Sequence, residues 1–176
     1  HPYAHTNNLW FDLEALHRAL TERAGVLGLP LIRNEKTLDP RDPSSPRVYQ
    51  LETALGAAIE AFPGATAIAV GRDRFLPVKT TNDLLLLRSD AYTLGSDSVP
   101  RLCADRAPLI DLDPDYYRTI TDFDARFPSG VPSVRAAESL RVRGDWTFGR
   151  GVVVRGEVVL DDPGKAGTIP DGRGLS

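Results

Sequence analysis

The sequence contains no methionine, one cysteine and three histidines in 176 residues. The single cysteine, Cys103, excludes an internal disulfide and fits a reducing compartment, so a cytoplasmic location is expected. No apolar run nears the length of a membrane span, and no signal-peptide pattern opens the chain, so no membrane partner is expected. A basic surplus is also missing. The formal net charge of −3 disfavours a nucleic-acid partner. The chain opens at His1-Pro2-Tyr3, and without a methionine it is expected to be a portion of a longer protein. What remains is an ordinary globular composition, 41% apolar and 26% charged, long enough for one sizeable core or one core plus a small appendage.

The first half alternates helix and strand patterns. Leu13, Leu16 and Leu20 recur at helical spacing, and Gly25 stops that helix. Residues 29–33 and 48–51 read as short strands, separated by a proline-rich surface loop over Asp39–Arg47. Residues 53–62 read as a small-residue helix, and Ala65–Val70 as a strand apolar enough to be buried on both faces. A helix to about Tyr92, a polar connection over Ser96–Arg106, an edge strand over 108–112 and a helix over Asp113–Phe127 with Pro114 in its first turn complete the series. Such alternation predicts a layered α/β domain.

After Pro132 the pattern changes. Val142, Phe148, Val154 and Leu160 recur every six residues, as do Leu140, Trp146, Val152 and Val158, with Gly144, Gly149, Gly151 and Gly156 between them. A six-residue period of β-branched and aromatic residues is the pattern of a β-helix, in which three hexads close one coil. A pair of antiparallel hairpins, 140–144 with 152–160, satisfies the same alternation.

The most informative segment runs from Arg74 to Leu84. A Pro77-Val78 step leads to Lys79, then to a helix start with Thr80 and Thr81 as N-cap types and Asp83 in the first turn. This holds one cation on a stiff arm beside a helix N-terminus, where the lysine and exposed N–H groups both attract phosphate. A surface lysine ahead of an ordinary amphipathic helix has the same local pattern.

Taken together, several blocks resemble one family. They are Thr6-Asn7-Asn8-Leu9-Trp10, the stretch from Leu31 to Asp39, Gln50-Leu51-Glu52-Thr53-Ala54 with the adjoining Gly56-Ala57-Ala58-Ile59, and the lysine motif from Arg72 to Thr81. Later come Leu140–Asp145 with Phe148-Gly149, and Ile169-Pro170-Asp171-Gly172. In this order they resemble the C-terminal part of the eukaryotic-type UTP–glucose-1-phosphate uridylyltransferases (UDP-glucose pyrophosphorylases). The resemblance implies an α/β fold: residues 1–132 as the C-terminal part of a Rossmann-like nucleotidyltransferase mixed sheet, then a short left-handed β-helix over 133–176. Family members are well over twice this length, and their glycine-rich nucleotide loop and Mg²⁺-holding acidic residue belong to an N-terminal half outside this sequence. Two departures stand out. His5 replaces a usual asparagine, which bears on the sugar pocket, and the Asp39–Arg47 loop is longer than usual.

The resemblance further implies the reaction of UTP with glucose 1-phosphate, with Lys79 contacting the phosphates of both substrates as the catalytic lysine. It implies that Asn7 binds the glucosyl hydroxyls, where a carboxamide suits a sugar because it both donates and accepts. Mg²⁺ is the implied cofactor, its ligands lying in the N-terminal part, and a homo-oligomer through the C-terminal β-helix is expected. The Thr-Asn-Asn-Leu-Trp and Gln-Leu-Glu-Thr-Ala blocks are of the glucose type; a UDP-sugar or UDP-N-acetylhexosamine pyrophosphorylase is the alternative parent, and a non-catalytic assembly module the alternative for the isolated chain. Other chemistry-bearing residues read as structural. Asn8 suits a local turn, and Glu52 either the pocket or a helix cap. His1, His5 and His17 lack metal-ligand spacing and read as surface residues, Trp10 and Trp146 read as core anchors, and Cys103 has no His or Asp partner nearby in sequence. The Asp111-Leu112-Asp113-Pro114-Asp115 cluster fits a strand end and helix first turn better than a calcium site.

Overall fold

Asp12 starts the first helix, α1 (Leu13–Glu22), its carboxylate accepting the N–H groups of Glu14 and Ala15. Gly25 ends it at φ 83°, donating its N–H to the Leu20 carbonyl. In the computed structural model, which describes residues 5–71, 74–104 and 106–176, the chain divides into two units, 1–75 and 76–176. His1, Arg72, Asp73 and Asp105 therefore lie outside the described residues.

In the first unit, β1 (Leu31–Thr37) and β2 (Arg47–Thr53) form an antiparallel hairpin, in register from Leu31 opposite Thr53 to Thr37 opposite Arg47. The strands expected here are thus longer than their apolar cores, because polar residues such as Asn34, Glu35, Lys36 and Gln50 continue the ladder. Leu55–Glu60 is a 3₁₀ turn rather than the expected longer helix; its Ala58 is buried, and Phe11 meets Phe62 edge-on at 5.8 Å. Two further expectations fail. Ala65–Val70 is not a hydrogen-bonded strand, and Ile68 is 88% exposed. An extended stretch becomes a strand only beside a partner, and the described hairpin satisfies its own ladder. Trp10 is 97% exposed and not a core anchor, since no described residue packs a second apolar layer over it.

The second unit is a mixed α/β assembly on a parallel sheet. Helix α2 (Thr81–Arg88) precedes a small hairpin of β3 (Tyr92–Leu94) and β4 (Pro100–Leu102), which occupies the expected polar connection. Next come β5 (Leu109–Leu112) and the short helices α3 (Pro114–Tyr117) and α4 (Ile120–Arg126). The single helix expected over 113–127 is broken because the Thr119 hydroxyl oxygen accepts the Asp122 N–H and starts a new one. The remaining strands are β6 (Ser133–Val142), β7 (Trp146–Phe148), β8 (Val153–Leu160), β9 (Gly167–Ile169) and β10 (Gly174–Leu175).

Parallel pairing gives one sheet in the order β10-β8-β6-β5, and β7 pairs in parallel with β9. Val142 lies beside Leu160 and Leu140 beside Val158, so equivalent positions stack after three hexads. Parallel pairing removes the antiparallel alternative. Both hexad registers point inward: Leu140, Val142, Phe148, Val152, Val154 and Val158 are buried in one core with Leu85, Tyr117, Phe123 and Phe127. The pattern change after Pro132 falls inside this unit, since β5 before it pairs with β6 after it.

Candidate functional site

The lysine arm is fixed by the helix into which it runs. Helix α2 buries Leu85 and is tied to the sheet by Asn82, whose side-chain oxygen accepts the Leu112 N–H of β5 at 3.0 Å. Just beyond the helix, Asp90 accepts the Ser133 hydroxyl at 2.6 Å and the N–H groups of Val134 and Arg135 at 3.0 and 3.1 Å, holding the start of β6. Leu76, Pro77 and Val78 line a small apolar hollow of about 30 Å³ with Leu86, Leu87 and Tyr92. Proline contributes a fixed φ to an arm already packed on its helix.

Asp83 joins arm and helix. One oxygen, Oδ2, accepts the backbone N–H of Lys79 at 2.9 Å, that of Thr80 at 2.9 Å and the Thr80 hydroxyl at 3.0 Å. Burial pushes this carboxyl up, but the two N–H groups, the hydroxyl and the Lys79 charge outweigh it and hold it below the ordinary carboxylate range. The N–H groups of Lys79 and Thr80, which precede the helix, are thus taken by Asp83. The Lys79 ammonium is exposed and forms no hydrogen bond or ion pair with the described residues. Asp83 was legible only as a first-turn charge; the Thr80-x-x-Asp83 spacing, that of a capping box, was the signal for its second role.

Asn7 lies in the first unit and Lys79 in the second. Asn7 holds φ at 63°, its N–H donating to His5 Nδ1 at 2.9 Å. The Asn8 carboxamide is used locally, its Nδ2 donating to the Thr6 carbonyl and hydroxyl at 3.3 and 3.4 Å. The Asn7 carboxamide forms no hydrogen bond with the described residues and is exposed. Glu52 is not a helix cap; it sits in β2 and its side chain accepts the Asn34 amide at 2.9 Å.

The remaining candidates have structural partners. Asp111 pairs with Arg143, which holds the Asp111 carboxyl below its ordinary range. Asp113 caps α3 and accepts the Gly144 N–H at 2.8 Å, so this cluster is a strand end and a helix start. Trp146 is half-buried, its ring N–H donating to the Asp161 carbonyl at 3.1 Å. A polar cavity of about 160 Å³ lies among Tyr116, Asp145, Asp162, Gly164, Lys165 and Ala166, where Asp145 is paired with Arg126 at 2.8 Å.

Comparison with known proteins bears on the family of the whole chain. The family model described as UTP–glucose-1-phosphate uridylyltransferase matches residues 1–155. The UTP–glucose-1-phosphate uridylyltransferase of Hordeum vulgare is 44% identical over 173 residues, covering 95% of this chain and 34% of that protein. A probable enzyme of the same name from Schizosaccharomyces pombe is 38% identical over 161 residues, covering 90% and 31%. Among solved structures, UDP-glucose phosphorylase from Trypanosoma brucei is 46% identical with a TM-score of 0.87, over 97% of this chain and 37% of that one. A point mutant of the Leishmania major UDP-glucose pyrophosphorylase in complex with UDP-glucose is 46% identical with a TM-score of 0.82, over 97% and 36%. The chain spans about a third of the length of the curated relatives it matches. With matches over most of its residues, the chain belongs to the UTP–glucose-1-phosphate uridylyltransferase family.

Proposed function

We propose that this chain is part of an enzyme that transfers the uridylyl group of UTP to glucose 1-phosphate, giving UDP-glucose and pyrophosphate. The observation that carries the reading is Lys79: an exposed ammonium without an ion-pair partner among the described residues, on an arm locked by Asp83 and packed on α2. A phosphate oxygen of the sugar phosphate attacks the α-phosphorus of UTP. The new P–O bond forms as the bond to the bridging oxygen of pyrophosphate breaks, and that oxygen keeps the electron pair. Two anions must approach closely, so a fixed cation between them lowers the barrier through charge neutralisation and placement. Asn7, with its carboxamide free, binds the glucosyl hydroxyls.

Mg²⁺ belongs to the proposal as an ion held outside these residues. No group of three His, Cys, Asp or Glu side chains converges among the described residues. The parallel strands β6 to β10, within 133–176, are read as a short left-handed β-helix, with residues 1–132 belonging to a Rossmann-like nucleotidyltransferase sheet. The three-hexad stacking of Val142 beside Leu160 supports the former. We place homo-oligomer contacts on this coil, and the enzyme in the cytoplasm.

The test is Lys79→Ala in the full-length protein, with pyrophosphate release measured from UTP and glucose 1-phosphate. Loss of one charge-stabilising donor lowers kcat by about 10²-fold or more, with smaller changes in KM. Lys79→Arg restores little, because a planar fork replaces a compact ammonium poorly between two tetrahedral anions. A Lys79→Ala enzyme keeping more than about half its turnover removes the reading.

A further inference from the structure

Asn7 is one of three non-glycine residues described with positive φ, and it is the one given the sugar-binding role. Asparagine tolerates the left-handed region better than most residues, but it stays there only when the surroundings hold it. The structure supplies the hold from two residues back, through the bond from the Asn7 N–H to His5 Nδ1 at 2.9 Å. The imidazole in turn lies over the backbone of the 3₁₀ turn. A Cβ built on Gly56 would stand 3.4 Å from His5 Cγ and 3.5 Å from both Cδ2 and Nδ1.

We propose that His5 is a positioning residue for sugar recognition, closing the turn that aims the Asn7 carboxamide at glucose 1-phosphate. The proposal rests on the reading of Asn7 as the sugar contact. Its chemistry is that of an Asx turn, in which a side-chain acceptor takes the backbone N–H two residues on. Nδ1 of histidine is separated from Cα by the same number of bonds as Oδ1 of asparagine, so the ring accepts the same N–H. The ring is bulkier, and Gly56 leaves room for it. The bond requires the neutral tautomer with its proton on Nε2, since Nδ1 must be free to accept. Beside it, the Asn8 carboxamide closes on Thr6. Of the two neighbouring carboxamides, one is consumed in building the loop and the other is left for the ligand.

The experiment is steady-state kinetics of the full-length protein, varying each substrate, for His5→Ala, His5→Asn and Asn7→Ala. Loss of one ordering hydrogen bond in His5→Ala raises KM for glucose 1-phosphate about 5- to 10-fold, with KM for UTP and kcat within about twofold. His5→Asn restores the wild-type KM, because its Oδ1 remakes the turn. Asn7→Ala raises KM for glucose 1-phosphate at least as far as His5→Ala. If Asn7→Ala raises it and His5→Ala does not, His5 has no positioning role while the reading of Asn7 stands. If Asn7→Ala leaves it unchanged, the sugar-contact reading falls and takes this proposal with it. A His5→Ala protein impaired equally toward both substrates and not restored by His5→Asn reports general loop damage, and also overturns the proposal.

Discussion

Replacing Asp83 by alanine removes the one oxygen that accepts the Lys79 N–H, the Thr80 N–H and the Thr80 hydroxyl. All three donors are near the surface, and water replaces much of what is lost, so the cost to stability is that of a helix cap, about 1 kcal/mol, rather than three buried bonds. The cost to turnover is larger. The backbone of Lys79 loses its tether, and a displacement of about 1 Å at a charge-neutralising group costs up to about 10²-fold in rate. Asp83→Ala therefore lowers kcat of the full-length protein by about tenfold or more, while Asp83→Asn, whose amide oxygen accepts the same N–H groups, loses less. Acidity separates the two roles. The Asp83 carboxyl is held below its ordinary value in the folded protein, so its contribution is complete above the unfolded pKa of about 3.9. That contribution disappears as pH falls through the lower folded value. The stability gap between wild type and Asp83→Asn, read from denaturant unfolding, is therefore constant near neutrality and closes below about pH 4. Wild-type kcat in Asp83→Ala, or a gap that widens on acidification, refutes the assignment.

Legibility in the sequence tracked the range of the interactions. The strands after Pro132 are readable because a six-residue period marks which residues turn inward, and Val142, Phe148 and Val154 are buried as that period predicts. Their parallel pairing is not legible, because alternation looks the same in either direction and only the pairing of Leu140 with Val158 decides it. The Gly25 stop of α1 and the Pro114 first turn of α3 are local and therefore visible, whereas the Asp12 cap is seen only in the structure. Errors came where a segment's state depends on a neighbour. Ala65–Val70 is apolar enough for a buried strand yet lies open, since composition records what a segment could bury and not whether a partner is present. Thr119 breaks the helix expected over 113–127 through a single hydroxyl, a competition that spacing alone does not settle. The roles proposed for Lys79 and Asn7 rest on resemblance. The residues that hold them, Asp83 and His5, needed coordinates, because each acts on the backbone of its neighbour through a bond that residue type does not announce.

Two further outcomes concern the core that supports the arm. Tyr117 is fully buried, and its hydroxyl donates to the Trp146 carbonyl at 2.6 Å. Burial, the largest influence, raises that hydroxyl's pKa above the ordinary phenol value, so it remains a donor at all physiological pH. Tyr117→Phe strands the carbonyl and costs about 1–3 kcal/mol in denaturant unfolding, with kcat unchanged at a temperature where the variant stays folded; a loss below about 0.5 kcal/mol would mean the carbonyl finds another donor. Phe148 makes the stronger test, because the coil and the helices meet on it. Its ring centroid lies 5.0 Å from that of Phe127, which is 4.7 Å from Phe123 of α4. Phe148→Ala removes the coil's end of this row, and a fully buried phenylalanine lost from a core costs about 3–5 kcal/mol. Phe148→Leu fills most of the space and costs less than half of that. If the coil were an independent appendage, Phe148→Ala would unfold it alone and leave helices α3 and α4 intact. The shared aromatic row predicts instead that hydrogen-exchange protection falls together in α4, β6 and β8. Protection retained in α4 while β6 and β8 exchange freely would show that the helices and the coil are separate folding units.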